Sequence, residues 1–112
     1  MLASFPDRRF QLWLYEVSHG SLLVRSPGRE DLQIVDLVFV GVEYVALPRH
    51  LRGVEVEPGS ATDVARASDV LRKAVADDHV FAIVSGGQRH LVVAVALRVS
   101  SHDGDIFDSP FK

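Results

Sequence analysis

An α+β domain built on a strongly bent, mostly antiparallel sheet is predicted from three features of the chain. Leu91 to Val99 reads Leu-Val-Val-Ala-Val-Ala-Leu-Arg-Val, with no polar residue before Arg98. Successive strand residues point to opposite faces, so such a strand has to be covered on both sides. Gly86-Gly87 between two apolar β-branched runs is a two-residue hairpin loop, because glycine accepts the positive φ angles that tight hairpins need. A single amphipathic stripe, Val64, Ala67, Ser68, Leu71, Ala74 and Val75, has helical spacing. About seven strands and one helix near residues 60–76 account for the chain, with the sheet bent far enough to form a partial barrel.

The elements follow in order. Phe10 to Val17 is a strand with apolar residues on both faces, Ser18-His19-Gly20 turns, and Ser21 to Arg25 returns as its partner. Ser26 to Asp31 is a polar loop punctuated by Pro27 and Gly28. Gln33 to Leu47 is long for one strand, and Gly41 in its middle marks a bulge or sharp bend, with a tight hairpin as the alternative. Gly53 to Glu57 alternates Val54 and Val56 with Glu55 and Glu57, which suits an edge strand. Ser60 followed by Asp63 is a capping box and starts the helix. Asp77 and Asp78 disfavour its negative end, which places the stop near Ala76. The strand, helix and strand between Val54 and Val80 are long enough for one parallel pair. The Gly86-Gly87 hairpin opposes Val84 to Arg89 and Ala82 to Leu91.

On that register both hairpin faces are mainly apolar, one carrying Val80, Ala82 and Val84 and the other Phe81, Ile83, Val92 and Ala94. A helix of about 16 residues spans roughly 24 Å and covers two or three strands on one side. Leaving roughly 400 Å² of the other side wet would forgo on the order of 10 kcal/mol, as much as a whole domain's stability. Either the sheet curls onto itself or a second copy packs there.

With 112 residues the chain is one domain, residues 1–112. Its 47% apolar and 24% charged residues are those of an ordinary globular protein. Absence of cysteine excludes disulfides and thiolate metal sites and fits a reducing compartment, so the expected location is the cytosol. Asp7, Arg8 and Arg9 stand where a signal peptide needs its apolar region, and no uncharged stretch approaches bilayer length. A net charge of −3 with interspersed signs gives no cationic face for nucleic acid, so neither nucleic acid nor membrane is an expected partner.

No motif of cofactor or catalytic specificity is present, and no cofactor is expected. His90, in a strand otherwise apolar on its face, and Asp36, on the stripe Ile34, Val38, Val40, are the candidate ligand-binding residues. A buried carboxylate has to be paired, hydrogen-bonded or neutralised, so Asp36 beside a histidine or arginine in a concavity would be a candidate general base. The simpler expectation places Asp36 in solvent at a strand end. His102, Asp103 and Asp105, with Asp108 beyond them, are acidic oxygen and imidazole donors that suit a cation only weakly. An EF-hand loop begun at Asp103 puts Asp108 where glycine is required. Trp13 and Tyr15 share a strand face and could form an aromatic platform.

The expected function is that of a non-enzymatic interaction protein, a homodimer joined through the apolar sheet face. The alternative is a small-ligand-binding domain with an apolar cavity inside the bent sheet, anchored by His90 or Asp36. A third reading is an enzyme using the histidines and aspartates, with or without a metal ion.

Overall fold

A computed structural model describes residues 2–28 and 33–103 of the chain. The described residues form an α+β fold with eight strands in one antiparallel sheet and one α-helix. The strands are β1 (Ala3–Glu16), β2 (Ser21–Ser26), β3 (Ile34–Val40), β4 (Tyr44–Val45), β5 (His50–Pro58), β6 (Val80–Ser85), β7 (Gln88–Val93) and β8 (Ala96–His102). Helix α1 (Ala61–Leu71) and a 3-10 turn (Asp77–His79) join β5 to β6. The order across the sheet is β4-β7-β6-β5-β1-β2-β3-β8.

Both sheet ends are continuations of inner strands. β4 follows β3 around a bend at Gly41, and β8 follows β7 around a bend at Val95. Gly41 has φ +67°, and a Cβ there would stand 2.8 Å from Val95 Cγ2, so glycine is needed both for the turn and for the close approach of the two bends. The bends are cross-linked, Val95 N donating to Val40 O (2.9 Å) and Glu43 N to Val93 O (2.8 Å). The sheet does not close into a barrel, but it curls until its two halves face each other.

One core fills the inside of that curl. Phe10, Leu22, Val24, Leu37, Phe39, Val54, Val56, Ile83 and Val92, from six strands, form a single buried cluster. Phe81, Val92 and Ala94, the face that required a cover, are 8%, 0% and 1% exposed. The protein's own curvature supplies that cover. The opposite side of β6 and β7 is covered by α1, whose Ala67 packs with Val80 and Val93 and, less completely, with Tyr44, Val64, Leu71 and Val75.

The Gly86-Gly87 hairpin has the expected register, Val84 against Arg89 and Ala82 against Leu91, with both glycines at positive φ. The capping box forms as well: Ser60 Oγ accepts from Asp63 N (3.1 Å) and Ser60 N donates to Asp63 Oδ2 (2.8 Å).

Three local expectations are corrected. The helix stops at Leu71 rather than near Ala76, because Arg72 turns left-handed (φ 56°) and Lys73 N donates back to Ser68 O. Val75 N then bonds Ser68 Oγ (3.2 Å), and the stripe residue Val75 packs on the sheet from outside the helix. β5 is an inner strand between β6 and β1, not an edge; its outward Glu57 is neutralised by Arg89 of β7 (2.8 Å). β5 and β6 are antiparallel, so the connection through α1 makes no parallel pair.

Candidate functional site

Two assemblies of side chains stand out, one polar and one apolar. The polar one lies on the face of β2, β3 and β8 that points away from the core. Val24, Val35 and Leu37 belong to the core, so their neighbours Arg25 and Asp36 point to the other face. Arg25 and Asp36 are directly opposed in the β2–β3 ladder, and both side chains are 0% exposed.

The guanidinium grips the carboxylate with two bonds, Nε to Oδ1 (2.7 Å) and Nη2 to Oδ2 (3.0 Å). His102 Nε2, from the end of β8, meets Asp36 Oδ2 at 2.9 Å, and the Arg25 guanidinium lies 5.7 Å from the Trp13 ring centroid. Burial pushes the Asp36 carboxyl up, but the hydrogen bonds and charges of Arg25 and His102 outweigh it and hold the carboxyl below its ordinary value. Asp36 is therefore a buried, ionised strut rather than a solvent-facing strand-end residue. Both its oxygens are engaged by donors, which leaves it suited to holding Arg25 and orienting His102 and unsuited to taking a proton from a substrate.

The other sequence candidates lie elsewhere. His90, on β7 opposite Ile83, lines a recess of about 250 Å³ between α1 and β7 and does not meet Asp36. Asp103 Oδ2 accepts from Gln33 Nε2 (3.2 Å), and Asp105 lies outside the described residues. Among the described residues no three His, Cys, Asp or Glu side chains converge as a metal ion would need. Trp13 and Tyr15 are separated by a shift in the β1–β2 register between Leu12 and Leu14. Trp13 goes to Arg25, and Tyr15 goes to the second assembly.

That second assembly is a cavity of about 380 Å³ at the end of the curl marked by Gly41. Residues 41–49 strap across this end: Val42 N bonds Gly20 O (2.7 Å), Ala46 N bonds Leu91 O (3.0 Å), and Arg49 O accepts from Leu12 N (2.9 Å). Between strap and sheet the side chains of Leu12, Leu22, Val42, Val45 and Leu47 leave an apolar hollow, with Tyr15, Glu43 and Tyr44 also lining it. Leu22 is a core residue, and Leu12, Val42, Val45 and Leu47 pack against the core, so the floor of the hollow is the end of the core itself.

Glu43 and Tyr44 were not singled out by the sequence. The available signal was the break at Gly41, after which Val42 to Leu47 keeps its apolar character in a segment with little strand structure. No family model, curated protein or solved structure matches the chain.

Proposed function

We propose that this protein is a small-ligand-binding domain whose site is the apolar cavity between the 41–49 strap and strands β1 and β2. The observation that carries this reading is the hollow of about 380 Å³ floored by the core and lined mainly by aliphatic side chains, with Tyr15 and Glu43 among them. Its size and its few polar groups among apolar walls are those of small-molecule sites, which run from about 300 to 1,000 Å³. At liquid density it takes a ligand of about a dozen non-hydrogen atoms. At ordinary ligand efficiency such a ligand binds with a Kd on the order of 0.1–1 mM.

Titration calorimetry with 1-octanol tests this reading. Saturable one-site binding is expected, abolished by Leu47→Trp, which fills the hollow from the strap. No heat of binding, or binding that Leu47→Trp leaves unchanged, contradicts it.

Self-association is a second reading and rests on a different surface from the one the sequence suggested. The inner sheet face is filled by the protein's own core, so it has no need of a twin. Val17 and Val95, 79% and 60% exposed, lie on the turns around the Gly41 bend and offer a second copy an apolar contact there. Light scattering at micromolar to millimolar concentration distinguishes monomer from dimer.

A further inference from the structure

We infer, resting on the cavity reading above, that the ligand is an amphiphilic amine: a short apolar body carrying an ammonium group. Among the described residues that line the hollow, the charged side chain is the carboxylate of Glu43, and no lysine, arginine or histidine joins it. An anionic amphiphile such as a fatty acid would bring its carboxylate toward that of Glu43, and Lys73, which pairs with Glu43, is not among the lining residues. An ammonium finds a charge-assisted partner in Glu43 and one aromatic ring, Tyr15, whose face attracts cations. The aliphatic residues Leu12, Leu22, Val42, Val45 and Leu47 take up the apolar body.

Glu43 already has a cationic partner. Lys73, just beyond the left-handed cap of α1, reaches its carboxylate in an ion pair in which both side chains are about half exposed, 54% and 43%. Such a pair in solvent is weak, so a better-placed ammonium displaces it at little cost. Lys73 thus acts as a built-in competitor, an ammonium on the rim occupying the group the ligand's own ammonium would use.

The test compares three probes of equal chain length, 1-octylamine, 1-octanol and octanoate, below their micelle concentrations at pH 7 by calorimetry or protein-observed NMR. The amine is expected to bind about tenfold more tightly than the alcohol, and octanoate more weakly than either. Glu43→Gln is expected to bring the amine to within about twofold of the alcohol. Lys73→Ala is expected to tighten the amine severalfold without affecting the alcohol.

If the alcohol binds but the amine gains nothing over it, or octanoate binds best, the amine assignment is overturned while the cavity reading stands. If none of the three binds, the cavity reading itself fails. An amine preference that survives Glu43→Gln overturns the role given to that carboxylate.

Discussion

Phe39 of β3 and Phe81 of β6 meet edge to face with ring centroids 5.6 Å apart, although β5, β1 and β2 separate their strands in the sheet. Only a sheet that curls back on itself brings them together, so this contact reports the curl directly. Phe81→Ala is expected to cost about 3–5 kcal/mol, the range for truncating a buried phenylalanine. In a double-mutant cycle with Phe39→Leu and Phe81→Leu, a coupling of about 0.5–1.5 kcal/mol is expected. Urea denaturation of the four proteins measures it.

The Gly41 bend sets the shape of the candidate cavity. Gly41→Ala forces a Cβ into a positive-φ position and against Val95 Cγ2. A loss of about 1–3 kcal/mol is expected, a drop in Tm of several degrees in a domain of this size. Adding Val95→Ala is expected to recover the steric part and leave the conformational part, which thermal denaturation of the single and double variants resolves.

Arg25 and Asp36 form a buried pair whose halves cannot be removed singly. Arg25→Ala or Asp36→Leu alone is expected to cost about 3–5 kcal/mol by removing one member of a buried, mutually neutralising pair. The combined Arg25→Met, Asp36→Leu variant is expected to lose much less than the two together. The folded carboxyl of Asp36 is held below its ordinary value of 3.8, so its contribution is present above that pH and is lost as pH falls below it. Chemical denaturation at pH 7 and across the acid range checks both statements.

Asp63 joins the helix to the sheet. It caps α1 through Ser60, and both its oxygens receive the Arg89 guanidinium, with Nη2 to Oδ2 at 2.6 Å. The Arg89 hydrogen bonds hold its carboxyl at about 2, burial opposing them and Ser60 assisting. A depressed carboxyl stabilises the fold fully above the unfolded value near 3.8 and loses that contribution as pH falls toward 2. About 2 kcal/mol of stability at neutral pH follows from the shift. Asp63→Asn is expected to lose about that much at pH 7 and to show a shallower decline between pH 4 and 2. A variant with the same acid slope as the parent protein would contradict this assignment.

Features governed by neighbours in sequence were legible in the sequence, and features that depend on distant strands were not. The Gly86-Gly87 register and the Ser60–Asp63 cap each depend on residues within a few positions, so turn and capping chemistry identified them. The need for a sealed second face was legible too, because Phe81, Val92 and Ala94 demand it whatever the topology.

The burial of Asp36 was not legible, since Arg25 and His102 reach it from two other strands and no spacing rule announces them. β5 looked like an edge because its alternating glutamates suit solvent. Arg89, which neutralises Glu57, arrives from β7, and the position of β5 between β6 and β1 is a matter of overall topology. The register shift in β1 that sends Trp13 to Arg25 and Tyr15 to the cavity likewise depends on how β2 pairs with it. The cavity arises from a bend that was legible at Gly41 and a strap whose hydrogen-bond partners, Gly20, Leu91 and Leu12, belong to three other parts of the chain.

Methyl-detected NMR of the protein titrated with 1-octanol tests the ligand-binding reading most directly. Saturable shifts are expected at Leu12, Leu22, Val42, Val45 and Leu47, while Leu37 and Ile83 in the interior and the exposed Val99 stay fixed. Shifts centred on Val17, Val99 or the helix, or no saturable shifts at all, would contradict the site.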